Sequence, residues 1–150
     1  MTVSTPDTNL ASRYPNAAVD CGGARIRAHC HHLATVVTIR GAIDAVNIDR
    51  ITEYTRRFIL ANSPVVLDLS GVTSFAAVGI SLLYVLDEDC GAAELEWTLI
   101  PSYAVTERLR GHGDEAMFPM ARSVPHALRH FADEITTRRE LLLALIRKTA

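Results

Sequence analysis

The chain has 150 residues, 49% hydrophobic and 21% charged, enough for one domain whose core needs no metal or disulfide staple. With 15 Lys and Arg against 17 Asp and Glu the net charge is −2, which excludes the basic excess of a nucleic-acid binder. No apolar run approaches the roughly 20 residues that cross a bilayer, residues 1–20 show no leader pattern, and Cys21, Cys30 and Cys90 are too scattered for a disulfide framework. The expectation is a soluble, cytoplasmic, single-domain protein with no nucleic-acid or membrane partner.

Residues 1–23 read as a flexible tail, rich in Ser, Thr, Pro and Asn and closed by Gly22-Gly23. Ile26, Ala28 and Cys30 then alternate with Arg25, Arg27 and His29, the period of a strand with one buried face. Thr35–Ile39 is a second strand, stopped by Gly41, and the two are close enough to pair as a hairpin. Asp44 is expected to cap a helix whose inward stripe is Val46, Ile48, Ile51, Tyr54, Phe58 and Ile59 or Leu60, broken at Asn62-Ser63-Pro64.

The near-continuous apolar run Pro64–Leu69 predicts a strand covered on both faces, and a mostly buried helix is expected from Val78 to Asp89. Leu95, Trp97 and Leu99 alternate with Glu94, Glu96 and Thr98, a strand nearer the sheet edge. Pro101-Ser102 opens a third helix with Val105, Leu109 and Tyr103 on its inner side, ended by Gly111-His112-Gly113. Ala116–Met120 predicts a short strand that Pro119 weakens. Ser123 caps a last helix with the stripe Ala127, Leu128, Phe131, Ala132 and Ile135. The order β-β-α-β-α-β-α-β-α is that of an α/β domain with a mixed, mostly parallel sheet and helices packed against it.

Local motifs for chemistry are absent: no phosphate-binding GxxxxGK[ST], no GxGxxG, no HExxH and no CxxC. Gly111–Glu115 reads as a helix-ending turn. In Cys30-His31-His32 successive side chains point to opposite faces, so a buried thiol beside turn histidines is expected rather than a metal site. No Ser-His-Asp or Cys-His set stands at local spacing. The reading is a protein without catalytic residues, metal or cofactor, not an enzyme.

The most informative stretch runs from Val65 to Leu86, where a buried strand feeds Ser70–Ala77 and then a helix N-terminus near Gly79. Unpaired backbone N–H groups and the positive end of a helix dipole make such a junction a place for an anion or a docking partner.

Val66-Leu67-Asp68-Leu69-Ser70-Gly71-Val72-Thr73 and Gly79-Ile80-Ser81-Leu82-Leu83 resemble the strand and helix halves of the STAS domain, the fold of anti-sigma-factor antagonists. Thr38–Asp44 resembles the end of that family's second strand, Val105–Leu109 its third helix, and Met117-Phe118 with Ser123 and Ala127-Leu128 its final strand and helix. The resemblance covers about 24–135, taken as a STAS-like domain, with 136–150 a helical extension.

It implies a non-catalytic regulator that binds an anti-sigma factor of the serine-kinase type and so frees a sigma factor. The implied docking residues are Asp44, Thr73, Ser74, Phe75, Ala76, Ala77, Val78, Gly79 and Ser81. Where the family reads Asp-Ser-Ser-Gly, this chain reads Ala76-Ala77-Val78-Gly79, so Ala77 stands at the phosphorylated serine's place and has no hydroxyl to accept phosphate. Phe75–Val78 could equally pack inward. The alternative implied by the family is a ligand- or nucleotide-sensing STAS module. Beyond Ile135, the apolar cluster Leu141–Ile146 continues the last helix or follows a bend, and is expected to pack against protein, with a homodimer favoured.

Overall fold

The computed structural model describes residues 18–59 and 62–149; Leu60, one of the two residues expected to close the first helical stripe, lies outside them, as does most of the expected tail. A five-stranded sheet has the order β1 (Val19–Asp20), β2 (Ala24–Cys30), β3 (Thr35–Ile43), β4 (Val65–Phe75) and β5 (Trp97–Ile100). The pairs β1–β2 and β2–β3 are antiparallel, whereas β3–β4 and β4–β5 are parallel, so the sheet is mixed. Four helices accompany it: α1 (Ile48–Ile59), α2 (Ile80–Ala92), α3 (Tyr103–Gly111) and α4 (Val124–Thr149), with a 3-10 turn at Ala77–Gly79 leading into α2.

Both sheet faces are covered. Ile26, Val37, Ile39, Leu67 and Leu99 face a core closed by Ile51 of α1, Leu82, Leu83 and Leu86 of α2, and Val105 and Leu109 of α3. On the opposite face, Val36, Val66 and Ile100 pack against Ala127 and Phe131 of α4. The near-continuous apolar run of β4 is the consequence of this double cover.

Several expectations need correction. Residues 18–23 are not tail: Val19 pairs with Ile26, Cys21 is 2% exposed, and Gly22 and Gly23, both at positive φ, turn the chain back into β2. The apolar Val19 and Cys21 cover the near end of the core, which the polar composition around them concealed. Gly41 does not end β3, and β4 does not end at Leu69 but runs on to Phe75. Gly41, at φ +100, sits where a Cβ would collide with the Gly23 carbonyl oxygen, and the register shifts there without the pairing stopping. Pairing resumes as Ala42 with Ser74 and Ile43 with Phe75.

Val46 is 83% exposed, not part of the stripe, because α1 begins at Ile48 and Val46 lies in the turn before it. Tyr103, expected inside, is 80% exposed at the first position of α3. Cys30 ends β2 exposed, whereas Cys21 and Cys90 are the buried thiols. All of β5 is buried, since α4 covers the face that alternation assigned to solvent. Residues 116–120 form no strand but one bridge, Leu99 with Met120, held by Leu99 N–H to Pro119 O at 2.9 Å and Ala121 N–H to Leu99 O at 2.9 Å. α4 does not end near Ile135; it runs unbroken to Thr149.

Candidate docking site at the carboxyl ends of β3 and β4

The parallel pair β3–β4 delivers Ile43 and Phe75 side by side, and Ala76 N–H donates to Ile43 O at 2.9 Å. The turns that leave these strands, 44–47 and 76–79, are therefore neighbours on one end of the sheet.

The first turn is built on Asn47, only 1% exposed. Its amide donates to Gly22 O at 3.0 Å and Ala42 O at 2.8 Å, and its Oδ1 accepts from Asp44 N–H at 3.0 Å. Asp44, expected as a helix cap, instead closes an Asx turn by accepting from Val46 N–H at 2.9 Å, while its carbonyl accepts the Ile48 N–H at 3.0 Å. The outcome is a rigid turn that presents Val46 to solvent.

The second turn is built on Phe75. Phe75 is 3% exposed, its carbonyl accepts from Arg108 Nε at 2.9 Å, and Gly79 lies so near that a Cβ there would stand 2.5 Å from Phe75 Cε1. Gly79 is thus a packing glycine. Gly79 N–H donates to Ala76 O at 2.8 Å, and Ile80 N–H is directed to Ala77 O and Val78 O. These N–H groups, expected to be unpaired and able to hold an anion, are taken up by the 3-10 turn.

Of the residues grouped from the sequence, Phe75 and Gly79 are buried, Asp44 and Ala76 are half-buried, and Thr73, Ser74, Ala77, Val78 and Ser81 are exposed. Thr73 Oγ1 donates to Gly41 O at 3.3 Å and Ser81 Oγ to Val78 O at 2.6 Å, so both hydroxyls are engaged with the backbone. Sequence reasoning missed Val46 as a surface residue and Asn47 and Arg108 as supports. The stripe spacing had placed Val46 inside, and nothing local marks Asn47 or Arg108. Behind the turn, Ser74, Ala104, Glu107, Arg108 and His112 line an open groove of about 480 Å³.

The Gly111–Glu115 segment serves the fold. His112 N–H is held by Arg108 O, Asp114 accepts from the Tyr84 hydroxyl at 2.8 Å, and Arg110 pairs with Glu107 and Glu115.

Comparison with known proteins agrees with this architecture. The STAS domain family model matches residues 25–127. The chain is 54% identical to "Osmosensory protein A" of Mycobacterium tuberculosis, with 100% of both chains covered. An anti-sigma factor antagonist from Mycobacterium paratuberculosis superposes with a TM-score of 0.65 at 22% identity, over 79% of this chain and 97% of that one. A STAS domain protein from Planctomyces limnophilus gives 0.63 at 20% identity, over 71% and 97%. The chain belongs to the STAS domain family.

Proposed function

We propose that this protein is a non-catalytic, cytoplasmic regulator that docks on an ATP-binding anti-sigma factor and so frees a sigma factor. One observation carries the reading: Val46, Ala77 and Val78 are exposed on two adjoining turns held from beneath by Asn47, Phe75 and Arg108. Small and apolar side chains on a rigid scaffold suit the centre of a protein interface, which is poor in charge and closely packed. Anti-sigma factor antagonists among the structural relatives favour a partner of that kind, and the name of the mycobacterial relative favours osmotic stress as the upstream input.

Phosphorylation at this turn would add about −1.5 to −2 charges to the interface and disrupt it. Ala77 and Val78 offer no acceptor, so docking here escapes that brake. The sensor alternative has fewer donors to offer an anion at this spot, because Gly79 and Ile80 spend their N–H groups on the turn. Calorimetric titration against each ATP-binding anti-sigma factor of the source organism tests the proposal. Saturable binding to one of them is expected; no binding to any overturns it.

The extension adds a homodimer to this reading. Leu141, Leu142 and Leu143 are 62%, 59% and 51% exposed on α4 beyond its last buried residue, Phe131. Burying a leucine gains roughly 1.5–3 kcal/mol, and a second copy of the same helix offers the matching surface.

A further inference from the structure

A polar cluster lies at the opposite side of the domain from the docking turns' chemistry, where α4 crosses the entry to β5. Glu96, immediately before β5, meets His130 and Glu134, which follow one another by one turn on α4. One ligand-capable atom from each of the three lies within 4.8 Å of the other two, and His130 Nε2 stands 3.2 Å from Glu134 Oε1.

We infer that Glu96, His130 and Glu134 form a binding site for a divalent transition-metal ion of the zinc class. Two carboxylates and one imidazole are the N/O donor set such ions take, and three protein ligands leave a further position for water or another ligand. The helical spacing of four places His130 and Glu134 on one face, and Glu96 supplies the third donor from a different element. An ion here would therefore tie α4 to the sheet.

One further observation agrees. Alongside runs a cavity of about 480 Å³, lined by His126, His130, Glu96, Asp87 and Trp97, with room for the remaining coordination sphere. Arg138 Nη2, 3.9 Å from Glu96 Oε1, is the resident counter-charge; its side chain is 72% exposed and can swing into solvent when an ion enters.

The test is titration of the full-length chain with Zn²⁺ by calorimetry and with Co²⁺ by visible absorption. Expected are one ion per chain, a Co²⁺ d–d spectrum and a raised Tm with Zn²⁺. His130→Ala and Glu134→Gln, at exposed and half-exposed positions, should each weaken binding at least about tenfold, while His31→Ala, outside the cluster, should not change it. No binding, or binding that survives His130→Ala and Glu134→Gln undiminished, overturns the site.

Discussion

Asn47 shows how one buried amide can position a surface. It satisfies two carbonyls and one N–H from three segments, so replacing it with Ala strands all three in a site closed to water. Asn47→Ala should lower unfolding free energy by about 2–3 kcal/mol, measured by urea denaturation, and weaken partner binding by loosening the turn that carries Val46. Gly79 is constrained by contact rather than by φ. Gly79→Ala drives a methyl against the buried Phe75 ring and should cost about 1–3 kcal/mol by the same measurement, whereas Gly91→Ala, where a Cβ meets nothing within 4 Å on α2, should not destabilise.

The helices and strands differ in how far the sequence alone revealed them. Period-2 alternation located β2, and the apolar run located the first half of β4, since both reflect which faces are buried. Ser102 and Ser123 cap α3 and α4 through their hydroxyls, at 3.3 Å to Val105 N–H and 3.2 Å to His126 N–H, and such caps are local signals. The second halves of β3 and β4 were hidden, because Gly41 looks like a stop and the segment from Ser70 like a loop until the two strands are seen to pair through them. β5 misled for the opposite reason: its outer face meets α4, a contact made by residues some thirty positions later. The turn proposed for docking was picked out from the strand-to-helix junction, but which of its side chains turn outward depended on Phe75 and Gly79 packing together. The Glu96, His130 and Glu134 cluster was missed altogether. His126, His130 and Glu134 at intervals of four on one helix were the available signal; Glu96 is supplied by the fold.

Helix α4 carries its own prediction. Truncation after Thr137 removes Leu141, Leu142 and Leu143 without touching Ala127 or Phe131, so the domain should stay folded and the mass by light scattering should fall from dimer to monomer. A full-length chain that is already monomeric contradicts the dimer.

Across the molecule, charge and burial set the response to pH. Burial, helped by Asp89 and Asp87, raises the Cys90 thiol to about 11, and burial also raises Cys21. In the unfolded chain these thiols ionise near their ordinary 9.0, so their contribution is full below that pH and is lost as pH climbs toward 11. Stability should therefore fall between pH 9 and 11, and Cys90→Val should flatten that decline. At neutral pH the same burial leaves Cys30 as the reactive thiol among the three, which a timed thiol-labelling assay on the native protein reads directly.

No helix among the described residues is long and apolar enough to cross a membrane. The turn proposed for docking lies at the carboxyl ends of two parallel strands, on the end of the sheet where α2 begins and α3 lends Arg108. The decisive measurement is the affinity of wild type, Ala77→Ser and Ala77→Glu for the anti-sigma factor that binds the native chain. Position 77 is exposed, so both variants should fold like the wild type. Ala77→Ser should bind within a few-fold of wild type, and Ala77→Glu, which places a charge at the centre of the interface, should lose at least tenfold, about 1.4 kcal/mol. Equal affinity for Ala77→Glu and wild type would contradict docking through this turn.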